Sequence, residues 1–391
     1  MYRFKDYWQR GAVFLHNKMF PSRKRLSTVM IYATDLCDSA CKHCQIWTKR
    51  PVTYLPKEKI FQLIQGNKCI TPRTTIGLEG GEFMLHPDAL EILEWLRKHH
   101  PKFDLLSNCL KPASLIEAVK KFPPKRLWVS LDGDKDTYLN MRGKDGYDHV
   151  LTVIKELKDI VPISVMFTLT PYNDFQDMRH VAELCKREGI DMRIGVYNDI
   201  PLFDTIETAH LTEIGSQKNE LPRSFHEAKQ LIRVRKENVA ETAYPGNEKK
   251  TLPIRENIPD IVQEFSENFD FLVLYDEWRK GGTRLTCNSI MESIVILPDG
   301  DVPVCQHLNV LIGNVFTNSL DEIFNGMETQ KKQKHYSRNC NACWINFHRK
   351  YDIVLYRSFE KYFGKFVTGK MLGYYWWEKE KRKTYKQLMR S

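Results

Sequence analysis

Three cysteines stand close together at Cys37, Cys41 and Cys44, in the run CDSACKHC. Directly before them, residues 26–34 (LSTVMIYAT) have the apolar, β-branched character of a buried strand. Three thiolates on one loop can hold three corners of a [4Fe–4S] cube. The fourth iron is then open to a small molecule that receives one electron. Zinc is another chemistry for such thiols, although zinc sites pair them as CxxC and take four ligands. Three unrelated core cysteines would also give the pattern.

A second set follows at Cys287, Cys305, Cys340 and Cys343. Residues 294–304 (IVILPDGDVPV) read as a hairpin, two apolar arms around a Pro-Asp-Gly turn. A helix is expected over 319–326, and Cys340 and Cys343 form a CxxC. Such a hairpin would bring Cys287 and Cys305 together, and the CxxC would complete four ligands for one centre. On spacing alone that centre is zinc or iron–sulfur. Cys69 and Cys185 read as small buried hydrophobes. Cys109 reads the same way, although it follows Asn108 at a strand end.

The elements that must position these thiols alternate. Strands are expected over 26–34, 74–78, 103–107, 126–131, 163–170 and 191–197. Amphipathic helices are expected over 56–65, 87–99, 112–121, 147–157 and 175–188. Strand–helix units in series imply an α/β fold with a parallel sheet and helices outside it. Right-handed crossovers curl the sheet into a full or partial (β/α)6 TIM-type barrel, with a small C-terminal β-hairpin/α extension that binds a cluster. Chemistry in such a sheet gathers at the C-terminal strand ends. There the chain carries Glu79-Gly80-Gly81-Glu82, Asn108, Ser130-Leu131-Asp132-Gly133 and Met141-Arg142-Gly143, the last expected to open a helix. Paired glycines let backbone approach a ligand, and a carboxylate can take an ammonium group. Ser130 and Arg142 could together hold a carboxylate. Each of these residues is also ordinary turn or capping chemistry.

The bulk numbers narrow the classes. The chain has 391 residues, 42% of them hydrophobic and 28% charged, as in an ordinary globular protein. No apolar run reaches the roughly 18 residues of a membrane span, and the N-terminus has no apolar signal-peptide core. Ten cysteines in such a chain point to metal or redox chemistry in a reducing, cytoplasmic setting. The formal charge of +10 invites a nucleic-acid reading, but zinc-finger, RRM and helix-turn-helix signatures are absent.

CDSACKHC after the first strand, GLEGGE after the second, then LSN and VSLDG followed by MRG, resemble the radical S-adenosylmethionine (SAM) enzymes over residues 26–199. CN…ILPDGDVPVC…IGN…SLDEIF…CNAC resembles the SPASM/twitch extension of that family. The resemblance implies a partial barrel in which Cys37, Cys41 and Cys44 hold a [4Fe–4S] cluster whose open iron binds SAM. It places Gly80, Gly81 and Glu82 at the methionine amine, and Ser130 and Arg142 at the carboxylate or ribose. Asn108 and Asp132 are further cofactor contacts, and His43 fills a slot near the adenine that is usually aromatic. A full SPASM domain has more cysteines, so the four here imply the shorter twitch type with one fully ligated auxiliary [4Fe–4S] cluster that transfers electrons. A flavodoxin or ferredoxin donor is implied as well.

The resulting organisation is an N-terminal helix and linker (1–25), a radical SAM barrel (26–200), a helical connector (201–283), an auxiliary iron–sulfur domain (284–350) and an aromatic-basic helical tail (351–391). Within the connector, helices are expected over 221–241 and 258–278. Tail residues 374–377 (YYWW) and the basic end suit a helix packed on the barrel, or contact with an anionic membrane. The activity expected is hydrogen abstraction from a peptide or protein, leading to a crosslink, an oxidation or an epimerisation. Only 36 residues precede Cys37, too few for a leader-recognition domain. Dehydrogenation of a sugar or aminocyclitol and lipid modification at a membrane are the alternatives. No catalytic base is assigned, and Arg193, Tyr197, Asn198 and Asp199 are the places to seek one.

Overall fold

Seven strands build one sheet: β1 (Thr28–Thr34), β2 (Thr75–Gly80), β3 (Phe103–Ser107), β4 (Arg126–Ser130), β5 (Ile163–Leu169), β6 (Asp191–Val196) and β7 (Ser293–Ile296). Their order is β6-β5-β4-β3-β2-β1-β7, and every pair is parallel. Each helical crossover from β1 to β6 therefore steps to the adjacent strand, which curls the sheet into a half-barrel. The computed structural model describes residues 4–170, 172–197, 254–265, 268–279, 285–308, 310–340 and 343–372. The segments expected as helix over 221–241, the YYWW–basic end, Asn198 and Asp199 lie outside the described residues.

Strand alternation separates the two faces of the sheet. Val29 and Ile31 of β1, Ile76 and Leu78 of β2, and Leu127 and Val129 of β4 join the main apolar core. Against them pack α1 (Phe4–Met19), α2 (Lys57–Gly66), α3 (Ala89–His99), α4 (Pro112–Lys121), α5 (Lys135–Arg142), α6 (Tyr147–Leu157) and α7 (Phe175–Glu188). Fully burying one such aliphatic side chain contributes roughly 1.5–3 kcal/mol, so the period-two pattern fixes the register strongly. Met30 and Tyr32 leave by the other face and form a separate cluster with Val295, Leu297 and Phe347.

Three elements differ from those expected. Residues 294–304 are not one hairpin: β7 joins the main sheet beside β1, and β8 (Asp301–Pro303) pairs antiparallel with β9 (Leu311–Asn314). The Pro-Asp-Gly turn is real, but it hands the chain from one sheet to the other. The main sheet thus takes a strand from the segment expected to belong to the extension. Arg142 does not open a helix but closes α5 (Lys135–Arg142), which starts on an Asp134 cap and ends on left-handed Gly143. Residues 258–278 are not one helix: a short 3-10 turn, Asp260–Glu264, starts from Pro259, and a separate helix spans Asn268–Arg279. The helix at 320–325 has a reciprocal Ser319–Glu322 capping box. A later helix, Met327–Asn339, delivers Cys340, and Asn346–Leu372, two helical stretches broken at Gly364 (φ 73°), packs Phe347 into the half-barrel.

Candidate active site and cysteine centres

Residues 37–44 leave β1 as a loop that is fixed from three sides. The end of α5 holds it through Ala40 N–H to the Arg142 carbonyl (2.9 Å) and Lys42 N–H to the Met141 carbonyl (2.8 Å). The turn after β2 holds it through Gly81 N–H to the Thr34 carbonyl (2.7 Å) and Glu82 N–H to the Leu36 carbonyl (2.8 Å). The approach is so close that only glycine fits: a Cβ on Gly80 or Gly81 would lie 2.2 Å from the Thr34 or Leu36 carbonyl oxygen. Gly80 also has φ of +139°, a region that side chains avoid. The third side is Asn108, whose Nδ2 donates to Asp38 (2.8 Å) and reaches Cys37 Sγ at 3.8 Å. Cys109, at φ 63°, turns the chain just after it.

The thiols of this loop already have donors. Ser39 Oγ lies 3.1 Å from Cys41 Sγ, and an Arg142 guanidinium nitrogen lies 3.9 Å from it. Burial pushes the Cys37 thiol up to about 12, and the neighbouring Cys41, Glu82 and Cys44 push in the same direction. Such thiols ionise only when a metal centre or a cation compensates them. Arg142 supplies positive charge. Burial opposes that charge, but Asp132, Cys41 and Tyr138 outweigh it, so its pKa rises. Asp132 accepts from Arg142 Nε (2.8 Å) and from an Arg142 terminal nitrogen, and its other oxygen accepts from Thr168 N–H (2.8 Å). Asp132 is therefore committed to holding Arg142. Glu82 is likewise committed, accepting from Asn108 N–H (2.7 Å) and Met84 N–H (3.3 Å). Burial still raises its carboxyl to about 7. Ser130 ends β4, half-buried, opposite Met166. His43 lies near Asp132 and Arg142, and its buried Nδ1 has no partner among the described residues.

The second cysteine set also converges. Burial first, then Cys343, Cys340 and Cys287, push the Cys305 thiol well above its ordinary value, so all four thiols share one electrostatic neighbourhood. Cys287 is tied to the helix that delivers Cys340 through its N–H to the Ser337 carbonyl (3.1 Å). A residue that sequence reasoning missed sits here. Arg349 is buried, donates to the carbonyls of Leu285 (2.8 Å) and Cys343 (3.2 Å), and lies 3.8 Å from Asp352. Burial opposes its charge, and Cys287, Cys343, Asp352 and Cys340 outweigh it. Nothing in the run NFHRK separates it from a surface arginine. Among the described residues no three Cys, His, Asp or Glu side chains close to the spacing of one bound ion. A cube, which takes one thiolate on each iron, asks for a wider spacing. Cys69, Cys109 and Cys185 are buried in the main core, as expected of small hydrophobes. Arg193 is buried at β6 and donates to Asp191 (3.1 Å).

The radical SAM superfamily profile matches residues 31–185, and that of the SPASM iron–sulfur cluster-binding domain matches residues 287–344. Both profiles cover the cysteine sets just described. This chain carries a radical SAM domain followed by a SPASM iron–sulfur cluster-binding domain. Radical SAM chains use a [4Fe–4S] cluster and SAM, and SPASM domains hold auxiliary iron–sulfur clusters. The chain is 23% identical over 323 residues to the antilisterial bacteriocin subtilosin biosynthesis protein AlbA of Bacillus subtilis (strain 168). The match covers 78% of this chain and 62% of AlbA, so the chain spans less than two thirds of that relative. Crystal structures of Streptococcus suis SuiB share the fold. With SAM bound, the TM-score is 0.52 at 14% identity, over 90% of this chain and 80% of SuiB. With the precursor peptide SuiA bound, it is 0.53 at 13% identity, over 88% and 77%. Among the described residues no helix of this radical SAM chain is long and apolar enough to cross a membrane.

Proposed function

We propose that this chain modifies a peptide or protein by radical SAM chemistry, with a flavodoxin- or ferredoxin-type protein as electron donor. The carrying observation is the convergence of a three-thiol loop, pinned on the Gly80–Gly81 cradle, and a separate four-thiol centre in one half-barrel. The peptide assignment draws on the relatives: AlbA serves bacteriocin biosynthesis, and SuiB is seen with a precursor peptide. Cys37, Cys41 and Cys44 are assigned to the SAM-binding cluster, and Cys287, Cys305, Cys340 and Cys343 to one auxiliary cluster. When bound, SAM and its cluster supply a 5′-deoxyadenosyl radical able to take a hydrogen atom from an unactivated carbon.

The chain's own residues bind, orient and exclude water. The Gly80–Gly81 backbone and Glu82 are assigned to the methionine amine, Ser130 to the carboxylate, and His43, with its unpartnered nitrogen, to the adenine. Arg142 is assigned to the carboxylate side as well, although its Nε and terminal nitrogens are turned toward Asp132 and Cys41. Asn108 and Asp132 act as positioning residues, one on the cysteine loop and the other on Arg142.

The test is metal content and SAM cleavage on anaerobically reconstituted protein. About eight irons per chain are expected, falling to about four in a Cys37/Cys41/Cys44→Ala variant, from one thiolate per iron. Wild type with dithionite and SAM should release 5′-deoxyadenosine. A peptide encoded beside the gene, deuterated throughout, should pass deuterium into it. No cleavage by wild type, or zinc in place of the second set of irons, would defeat the proposal.

A further inference from the structure

We propose that Glu79 is the group that accepts a proton from the bound substrate, and that Tyr32 is its positioning residue. The inference rests on the function proposed above and adds a residue to it. Glu79 is the last residue of β2 before the Gly80–Gly81 cradle. Its neighbours Ile76 and Leu78 face the helices, so Glu79 faces the hollow of the half-barrel, directly opposite Tyr32 of β1. The Tyr32 hydroxyl acts on the Glu79 carboxyl across this pair and lowers its pKa. Gln306 Nε2 donates to the Tyr32 hydroxyl at 2.9 Å. That bond occupies a lone pair of the phenol and leaves its hydrogen free of Gln306, so it can donate to the Glu79 carboxylate. Gln306 directly follows Cys305, and Tyr32 feels the charge of Cys44. The pair is therefore linked to a neighbour of the second cysteine set through Gln306 and to the first through Cys44.

The other acids at this edge are occupied. Glu82 accepts from two backbone N–H groups, and Asp132 holds Arg142. Asp35 accepts from Thr53 N–H (2.8 Å), and Asp38 from Asn108. Glu79 is held by one neutral phenol and is half-buried, not sealed. Burial raises its carboxyl to about 7; the Tyr32 hydrogen bond lowers it, and the charge of Asp104 on β3 raises it. Asp104 itself faces Lys125, Arg126 and Lys102, and Trp128 donates to it at 3.3 Å. An acceptor poised near the working pH is what general base catalysis needs. In the step assigned to it, the X–H bond of a substrate hydroxyl, thiol or amide breaks. The electron pair stays on X, and the proton becomes the carboxyl O–H of Glu79.

Two measurements test this. On the cluster-free protein, infrared titration of the protonated-carboxyl band should show a component with a midpoint near neutrality that vanishes in Glu79→Gln. That midpoint should move up in Tyr32→Phe, because a hydrogen bond to the carboxylate is lost. On the reconstituted enzyme with the peptide that passes deuterium in the preceding experiment, product per 5′-deoxyadenosine should fall about 100-fold in Glu79→Gln. The wild-type ratio should rise with pH through the infrared midpoint. An unchanged ratio overturns the assignment, as does a midpoint in the ordinary carboxylate range near about 4.3. Complete loss of 5′-deoxyadenosine in Glu79→Gln, while wild type makes it, would make Glu79 a cofactor contact and also overturn it. Failure of wild type to cleave SAM strikes the proposed function instead.

Discussion

A buried arginine stands beside each cysteine set. Arg142 reaches Cys41, and Arg349 is surrounded by Cys287, Cys343 and Cys340. Thiolate-ligated clusters are anionic, and a buried anion without a counter-charge is costly. Each guanidinium is in turn held by one aspartate, Asp132 or Asp352. In both, the second carboxylate oxygen accepts a backbone N–H, from Thr168 or Asn288, but the Asp132 pair is the tighter, with Arg142 Nε at 2.8 Å against 3.8 Å between Arg349 and Asp352. Removing one partner of a buried ion pair leaves the other uncompensated and costs about 3–5 kcal/mol. Asp132→Asn should therefore lower the unfolding free energy, read from urea titration of the cluster-free protein, by that order, whereas Lys120→Gln, on an exposed pair, should shift it by less than about 1 kcal/mol. Equal shifts would mean that the Asp132–Arg142 pair is no more than a surface contact. The candidates Asp132 and Arg142 were legible as residues at a strand end. Their engagement with each other was not, because nine residues of intervening sequence do not say that α5 turns Arg142 back onto the loop.

At the scale of elements, the junction of β1 and β2 decides whether the cysteine loop has a shape at all. Gly80 and Gly81 let two strand ends pass at a distance no side chain tolerates, and the Gly81 and Glu82 N–H groups stitch the loop to the turn. Gly81→Ala forces a Cβ against the Leu36 carbonyl, one residue before Cys37. Backbone, not a flexible side chain, must then move. Reconstituted Gly81→Ala should lose the SAM-cluster irons and keep the auxiliary ones, giving about four per chain. Retention of about eight would show that the loop forms without the cradle. Elements with a strong local signal were readable: α4, α6 and α7 fall where apolar periodicity and flanking Pro, Gly and Asp set their bounds. The hairpin over 294–304 was misread for a matching reason. Its turn signal is local and genuine, whereas the partner that captures residues 293–296 is β1, distant in the chain and invisible to any window.

The whole molecule is organised around that capture. β1 carries the first cysteine set at its C-terminal end and has β2 on one edge and β7 on the other. From β7 the chain turns into β8 and reaches Cys305 and Gln306, and Gln306 returns to Tyr32 of β1. One strand thus references both cysteine centres, so their separation is set by backbone pairing in the sheet. The same pairing covers an edge. Without β7, the N–H and C=O groups of Thr28–Ile31 face solvent, and Met30 and Tyr32 lose Val295, Leu297 and Phe347. A parallel-sheet edge that is apolar on both faces is a template for association. A chain ending at residue 284 should therefore sediment as aggregates, although it keeps Cys37, Cys41, Cys44 and the Gly80–Gly81 cradle. A version ending at residue 372, which retains β7 and the helix carrying Phe347, should remain monodisperse at the same concentration. If the shorter chain were monodisperse and bound about four irons, the radical SAM half-barrel would be an independent unit and β7 an addition to it. Aggregation of the shorter chain alone makes the C-terminal segment part of the catalytic fold. Substitutions at the β1–β7 seam would then alter both centres together.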